Sequence, residues 1–303
     1  MPELPDLTVY AEHLERLLVG RALERVRVVG WNLMRTAAPP LSDAVGRNVT
    51  SVRRAGKRLV FALEGGLGLA LHLMVSGRLH WHAPGAVLPK RVGLAAFDFG
   101  HGTLLLTESS TRQRAGLHVL ADDAAVARLD AGGVEPLDVD ASEFAAALAR
   151  EDHTLKRALT DPRLFSGIGN AYSDEILHRA QLSPFKRTPG LSPDEVTRLH
   201  QAVVSVLVEW TERLRALAGD EFPERVTAFH EGFAVHGRYR KPCQVCGAPI
   251  QRVVYAENEM NYCARCQTAG RLLADRALSR LLRGDWPRTI EELEERRVPP
   301  ERS

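Results

Sequence analysis

The 303-residue chain reads as an α+β protein of several domains, on three observations. One amphipathic helix opens it, and short segments of strand character then fill the stretch from Arg21 to about Leu120. After Ala131-Gly-Gly-Val-Glu-Pro136 the apolar period becomes helical, and two close pairs of cysteines follow. The expected division is 1–130 for a helix-led β-sandwich or flattened barrel, 137–230 for a helical domain, 235–270 for a cysteine hairpin and 271–303 for a helical tail.

The first helix has Pro5 in its first turn, where a missing N–H costs nothing, and Gly20 as its stop. Leu7, Ala11, Leu14 and Leu18 share one face. Strands are expected at Arg25–Val29, Arg58–Ala62, Leu69–Leu73 and Leu94–Phe99, with turns at Glu64-Gly-Gly-Leu67 and Gly100-His-Gly102. Helices are expected at Phe144–Ala149, Leu155–Leu159, Ala171–Leu182 and Ser192–Leu217. In the tail Leu272, Leu273, Leu278, Leu281 and Leu282 recur at helical spacing before a break at Trp286-Pro287. They either pack back on the body or present a helix to a partner.

Basic and acidic side chains number 40 and 38, so any nucleic-acid face must be local. No apolar run approaches the roughly 18 residues of a membrane span. The start carries Glu3 and Asp6 where a signal peptide carries lysines, so a cytosolic protein is expected.

Cys243-Gln-Val-Cys246 and Cys263-Ala-Arg-Cys266 are separated by sixteen residues. Two such knuckles at the ends of a hairpin complete a tetrahedral all-sulfur site for one Zn2+, with Gly247 giving the permissive backbone after the first. Four thiolates leave no open position, so the metal is structural. The other reading is four buried or redox thiols. Arg238, Arg240, Lys241 and Arg252 flank the first knuckle as a phosphate-facing patch or a solvated face.

Between two helical stretches lies Phe165-Ser-Gly-Ile-Gly-Asn170. Gly167 and Gly169 permit a tight turn, and Asn170 starts the next helix, whose exposed amides suit a DNA phosphate. The same turn also serves geometry alone.

Taken in order, Met1-Pro-Glu-Leu-Pro5, Gly167-Ile-Gly-Asn-Ala-Tyr172 followed by Asp174-Glu175, and the four-cysteine module resemble the formamidopyrimidine-DNA glycosylase/endonuclease VIII family. The resemblance spans Met1 to Gln267. It implies a helix-led β-sandwich, a helix-two-turn-helix domain and a zinc finger, with DNA bound in the cleft between them. It further implies a nucleophilic amine on Pro2 once the initiator methionine is removed. A secondary amine attacks C1′ of a flipped nucleotide, displaces the base and forms an iminium that opens β- and δ-elimination. Glu3 matches the family's general acid and Lys57 its β-domain lysine, which would otherwise read as a solvated strand residue. Glu175 reads as a buried partner in the helical domain. The expected DNA-contacting set is Asn170, Gly169, Arg114, Arg112, His72, Lys156 and Arg240. The implied partner is double-stranded DNA with damaged or abasic sites, met by a monomer in the bacterial cytoplasm, at the nucleoid.

Four positions depart from the family pattern. Asp6 replaces a glutamate, shortening any reach by one methylene. Val75 and Ala115 stand where relatives insert methionine and phenylalanine into the hole left by the base, so the wedge is small. Asn258, between Glu257 and Glu259, replaces a phosphate-gripping arginine, and the two carboxylates would repel a phosphate track. A loop within Ala216–Phe229 is expected to shape the base pocket. Besides a bifunctional glycosylase, the sequence admits a lyase or glycosylase for atypical adducts and crosslinks, or a binder of damaged DNA. Retention of Pro2, Glu3 and Lys57 speaks against the binder.

Overall fold

A computed structural model describes residues 1–224, 226, 229–255, 258–274 and 287–295. The chain divides into two compact units, Met1–Gly133 with Val208–Ala228, and Val134–Leu207 with Phe229–Ser303.

The first unit starts with helix α1, Leu4–Leu18. Its N-terminus is closed by a capping box: Glu3 N–H donates to Asp6 Oδ2 at 2.9 Å, and the Glu3 carboxylate receives the Asp6 N–H. Leu7, Leu14 and Leu18 are fully buried, as their spacing predicts. The eight strands that follow are β1 (Arg25–Val28), β2 (Val49–Ala55), β3 (Arg58–Leu63), β4 (Gly68–His72), β5 (Gly77–His82), β6 (Gly93–Phe99), β7 (Gly102–Glu108) and β8 (Gly116–Leu120). They form two antiparallel sheets, β1-β6-β7-β5 and β2-β3-β4-β8. Leu59, Phe61 and Leu71 from one sheet and Leu79, Phe97, Leu104 and Leu106 from the other meet in a single core with α1, which makes the layers a sandwich. In β2-β3-β4-β8, Arg58 stands opposite His72 and His72 opposite Gly116. The β2–β3 turn, the loop after β4 and the loop before β8 therefore emerge at the same end of that sheet. A short helix α2, Asp123–Ala127, covers its outer face through Ala125 and Val126 on Val60, Ala70 and Leu120.

The second unit holds α3 (Ala141–Ala149), α4 (Leu155–Thr160), α5 (Asn170–Arg179), the first part of α6 (Pro193–Ala218), the hairpin β9 (Gln251–Tyr255) and β10 (Asn258–Tyr262), and α7 (Ala264–Thr268). Asp140 caps α3 and Thr154 caps α4 through their side-chain oxygens. The helix expected at Ala171–Leu182 stops at Arg179, because Gln181 turns to φ +53° and ends the i→i−4 ladder. Leu272 and Ile290 are buried with Val253, Met260 and Tyr262, so the described part of the tail packs back on the hairpin. Leu278, Leu281, Leu282 and Trp286 lie outside the described residues. Among the described residues no helix is long and apolar enough to cross a membrane.

Candidate active site and nucleic-acid interface

Pro2 and Glu3 are buried at the head of α1, and Lys57 is half-buried on the β2–β3 turn. The α-amino group at the chain start is pushed below its ordinary value, by burial first. Glu3 and Asp6 act on it in the opposite direction, while Arg78 and Lys57 reinforce the lowering. Two carboxylates and two cations thus share one neighbourhood with the amine. Arg78, which the sequence did not single out, is held by its Nη1 on the carbonyls of Gly77 at 2.7 Å and Val75 at 3.3 Å. Asp6, a methylene shorter than glutamate, spends its reach on the Glu3 amide.

The loops after β4 and before β8 hang from one buried carboxylate that sequence reasoning missed. Glu108 is 2% exposed; Oε2 accepts the amides of Arg114 and Ala115, both at 2.9 Å, and Oε1 the hydroxyls of Ser76 and Ser110 at 3.4 and 3.3 Å. Arg112 and Arg114 are exposed on this loop, whereas Ala115 is buried. His72 accepts the Met74 N–H at Nδ1, 3.0 Å, and so fixes a turn in which Met74 holds φ +52°. Burial, then Arg58, Lys57 and His118, push the His72 imidazole down to about 4, so it offers a neutral N–H rather than a cation. Val75 beyond it is 62% exposed.

Of the loop expected to shape the base pocket, Glu224 is fixed on β5: one carboxylate oxygen pairs with His80 Nδ1 and the other accepts Trp81 N–H at 3.2 Å. Residues 225, 227 and 228 lie outside the described residues.

In the second unit, Gly167 at φ +78° makes the turn that lets Gly169 cap α5. Side chains of this helix at every fourth position form a polar stripe toward the cysteine module. Asn170 Nδ2 donates to Glu259 O at 2.6 Å. Asp174 Oδ2 accepts His236 Nδ1 at 2.8 Å and Asn261 N–H at 3.0 Å. His178 Nε2 lies 3.4 Å from Cys243 Sγ. Lys156 Nζ pairs with Asp174 Oδ1 and donates to Asn170 O at 2.6 Å, so this expected DNA contact is turned into the protein. Glu175 accepts the amides of Ala234, Val235 and His236 at 2.6, 2.9 and 2.9 Å, the buried partner its sequence position suggests. Burial pushes its carboxyl up against those three donors.

The sulfurs of Cys243, Cys246, Cys263 and Cys266 all lie within 4.8 Å of one another, with pairs at 3.9 and 3.4 Å. Tetrahedral Zn–S bonds of about 2.3 Å place sulfurs about 3.8 Å apart, whereas a disulfide needs about 2.05 Å. The four residues therefore fit one closed, structural zinc site. Burial, followed by the neighbouring sulfurs, pushes the Cys263 thiol up to about 12, so thiolates crowded here require a cation at their centre. Arg240 is exposed, at φ +67°, with its guanidinium 5.1 Å from the Tyr239 ring; Arg252 covers the same ring at 4.6 Å. Arg252 also pairs with Glu259 at 3.2 Å, so a cation stands beside one of the two carboxylates expected to repel a phosphate. Glu257 and the Asn258 side chain lie outside the described residues.

Three family profiles match in chain order: the formamidopyrimidine-DNA glycosylase N-terminal domain at 1–116, its H2TH domain at 133–215, and a zinc finger found in FPG and IleRS at 240–269. A formamidopyrimidine-DNA glycosylase of Chloroflexus aggregans is 34% identical over 278 residues, 88% of this chain and 98% of that protein. An uncharacterized formamidopyrimidine-DNA glycosylase-like protein of Mycobacterium tuberculosis is 41% identical over 151 residues, half of this chain and 94% of that protein. The fold matches that of Lactococcus lactis Fpg in complex with DNA containing an abasic site, with a TM-score of 0.78 at 23% identity, over 88% of this chain and 99% of that one.

Proposed function

Since the chain belongs to the formamidopyrimidine-DNA glycosylase family, we propose that it is a base-excision DNA glycosylase and abasic-site lyase working through the amine of Pro2. The observation that carries this reading is the enclosed amino end. Burial there lowers the proton affinity of the Met1 α-amine, against Glu3 and Asp6 and with Arg78 and Lys57. Pro2, the next residue and itself buried, takes over those surroundings once Met1 is removed, and an unprotonated amine is what attack requires. With Met1 removed, Pro2 nitrogen gives its lone pair to C1′ of the extruded nucleotide, the C1′–base bond breaks with its electron pair going to the base, and the proton shed by the proline nitrogen goes to the departing base. Glu3 delivers a proton to the ring oxygen as the sugar opens to the iminium. The iminium acidifies the C2′ protons; loss of one expels the 3′ phosphate, and a second elimination expels the 5′ phosphate. Lys57 holds the DNA beside the sugar. Arg112, Arg114 and the neutral His72 take backbone phosphates from the loops of the first unit. Gly169, Asn170 and Arg240 do so from the second, with Lys156 acting through the Asn170 carbonyl.

The partner is duplex DNA bearing damaged or abasic nucleotides, met by a monomer in the bacterial cytoplasm, at the nucleoid. The zinc stabilises the hairpin and takes no part in the chemistry. Borohydride trapping on abasic-site DNA tests the reading, because it reduces an iminium to a stable amine. A covalent band from wild type that vanishes in Pro2→Gly is expected. Undiminished trapping by that variant would remove Pro2 from its role.

A further inference from the structure

The outer face of β2-β3-β4-β8 carries, at the end where the three loops emerge, a group of basic side chains of which the proposed function uses only His72. Arg58, His72 and Gly116 stand opposite one another on three adjacent strands, and His118 lies two residues further along β8. Residues two apart share a face, so Arg58, His72 and His118 line one side. Arg35 fills the place left by the missing side chain of Gly116: a Cβ there would meet Arg35 Nε at 2.8 Å. Arg35 is anchored by Nη2 on the carbonyls of Arg114 and Ala115 at 3.0 and 3.1 Å. Arg58 gives one nitrogen to Leu129 O at 3.1 Å, while its buried Nε has no acceptor among the described residues. Further along, the same face is apolar and covered by α2, which confines the cations to the loop end.

We propose that Arg35, Arg58 and His118 form a binding site for a backbone phosphodiester of the DNA, continuing the contact made at His72. The inference rests on the proposed DNA substrate and adds to it a site outside the reacting centre. A phosphate oxygen on this face meets the guanidinium groups of Arg35 and Arg58, the two charges that act on His118. The surroundings ask for an anion. The charges that act on His118 are Arg58 and Arg35, those on His72 are Arg58, Lys57 and His118, and Asp130 is the carboxylate that acts on Arg58. Burial and these cations hold both imidazoles neutral in the free protein. A bound phosphate opposes that lowering at His118, so the imidazole holds a proton more readily in the complex than in the free protein.

The test is equilibrium binding of the full chain to a duplex holding a tetrahydrofuran abasic analogue, as a function of salt. Arg58→Gln should make the slope of log K against log salt shallower by about 0.9, the value for one phosphate contact. Arg25→Gln, which removes a charge from β1 of the other sheet, should leave the slope unchanged. His118→Gln should weaken binding several-fold at pH 6 and leave it near wild type at pH 8. An unchanged slope in Arg58→Gln at unaltered melting temperature overturns the site, as does an equal change in Arg25→Gln or a pH-independent effect of His118→Gln. Trapping at saturating abasic DNA separates this idea from the activity. Variants that trap normally once saturated locate the defect in binding, whereas a wild type that never traps fails the catalytic reading and leaves the slope test standing.

Discussion

Replacing Asp174 by asparagine keeps the shape of the side chain and removes its charge, and Lys156 is the residue that feels it. The pair is enclosed, with 14% of the lysine side chain exposed and none of the aspartate. Removing one partner from a buried ion pair costs about 3–5 kcal/mol, because the remaining charge is stranded. The amide keeps one oxygen where the carboxylate has two, so its hydrogens must face either Lys156 or the donors His236 Nδ1 and Asn261 N–H. A loss of about 4 kcal/mol is expected, or roughly 10 °C in melting temperature for a unit of this size. Lys156→Met alone should cost less, about 2 kcal/mol, since Asp174 keeps its other two donors. The double variant should recover at least about 1.5 kcal/mol relative to the sum. Urea unfolding of the four proteins closes the cycle, and effects that simply add would refute the pairing. The cycle also bears on DNA. If Lys156 acts through the Asn170 carbonyl, Lys156→Met weakens binding to abasic duplex without altering the salt slope. A slope shallower by about 0.9 would make it a phosphate ligand.

Three further outcomes follow from the same geometry. His72 sits at about 4 in the folded chain against about 6.5 unfolded, so the unfolded state binds the extra proton between those values. Stability is full above pH 6.5 and falls as pH drops through 4, by roughly 3 kcal/mol; His72→Gln should flatten urea midpoints across that window, and an unaltered profile would count against it. Asp6→Ala removes the acceptor for the Glu3 amide and should cost about 1 kcal/mol in thermal unfolding; no change would mean the capping box contributes nothing. Chelation of zinc, or Cys263→Ser, should abolish slow amide exchange at Val253 and Met260 while leaving Leu7 and Leu14 protected. Uniform loss across both units would contradict a metal that stabilises only its own hairpin.

The parts legible in sequence are those whose physics is local. Leu7, Leu14 and Leu18 declare a helix face by their spacing, and the cysteines declare a metal site because each knuckle is complete within four residues. Strand β7 was harder, because its Thr-Leu-Leu-Leu-Thr run is buried on both faces and so shows no alternation. Glu108 at its end looks like any strand-terminal carboxylate. Its partners Ser76 and Ala115 become visible only once β5 and β7 are paired. The partners of Glu175 lie 59 to 61 residues further along the chain, so its burial was readable and the loop it holds was not. Lys156 reads as a DNA contact in the sequence because nothing in its own helix shows that Asp174 faces it.

The departures at Val75 and Ala115 gain a shared physical context from Glu108. That carboxylate clamps the Ala115 amide, and the Ala115 side chain is 2% exposed, so this position adds no wedge at the surface. A bulky ring there would have to leave the position its own amide is pinned in. Exposed apolar surface comes instead from Val75, on a turn fixed by His72 and tied through Ser76 to the same Glu108. The loop after β4 and the loop before β8 are coupled through one buried acid. Glu108→Gln should therefore disturb both loops together: the amide keeps one oxygen acceptor but points hydrogens at donors on the other side. Loss of order in only one loop, read by amide exchange at Ser76 and Ala115, would show that they are set independently.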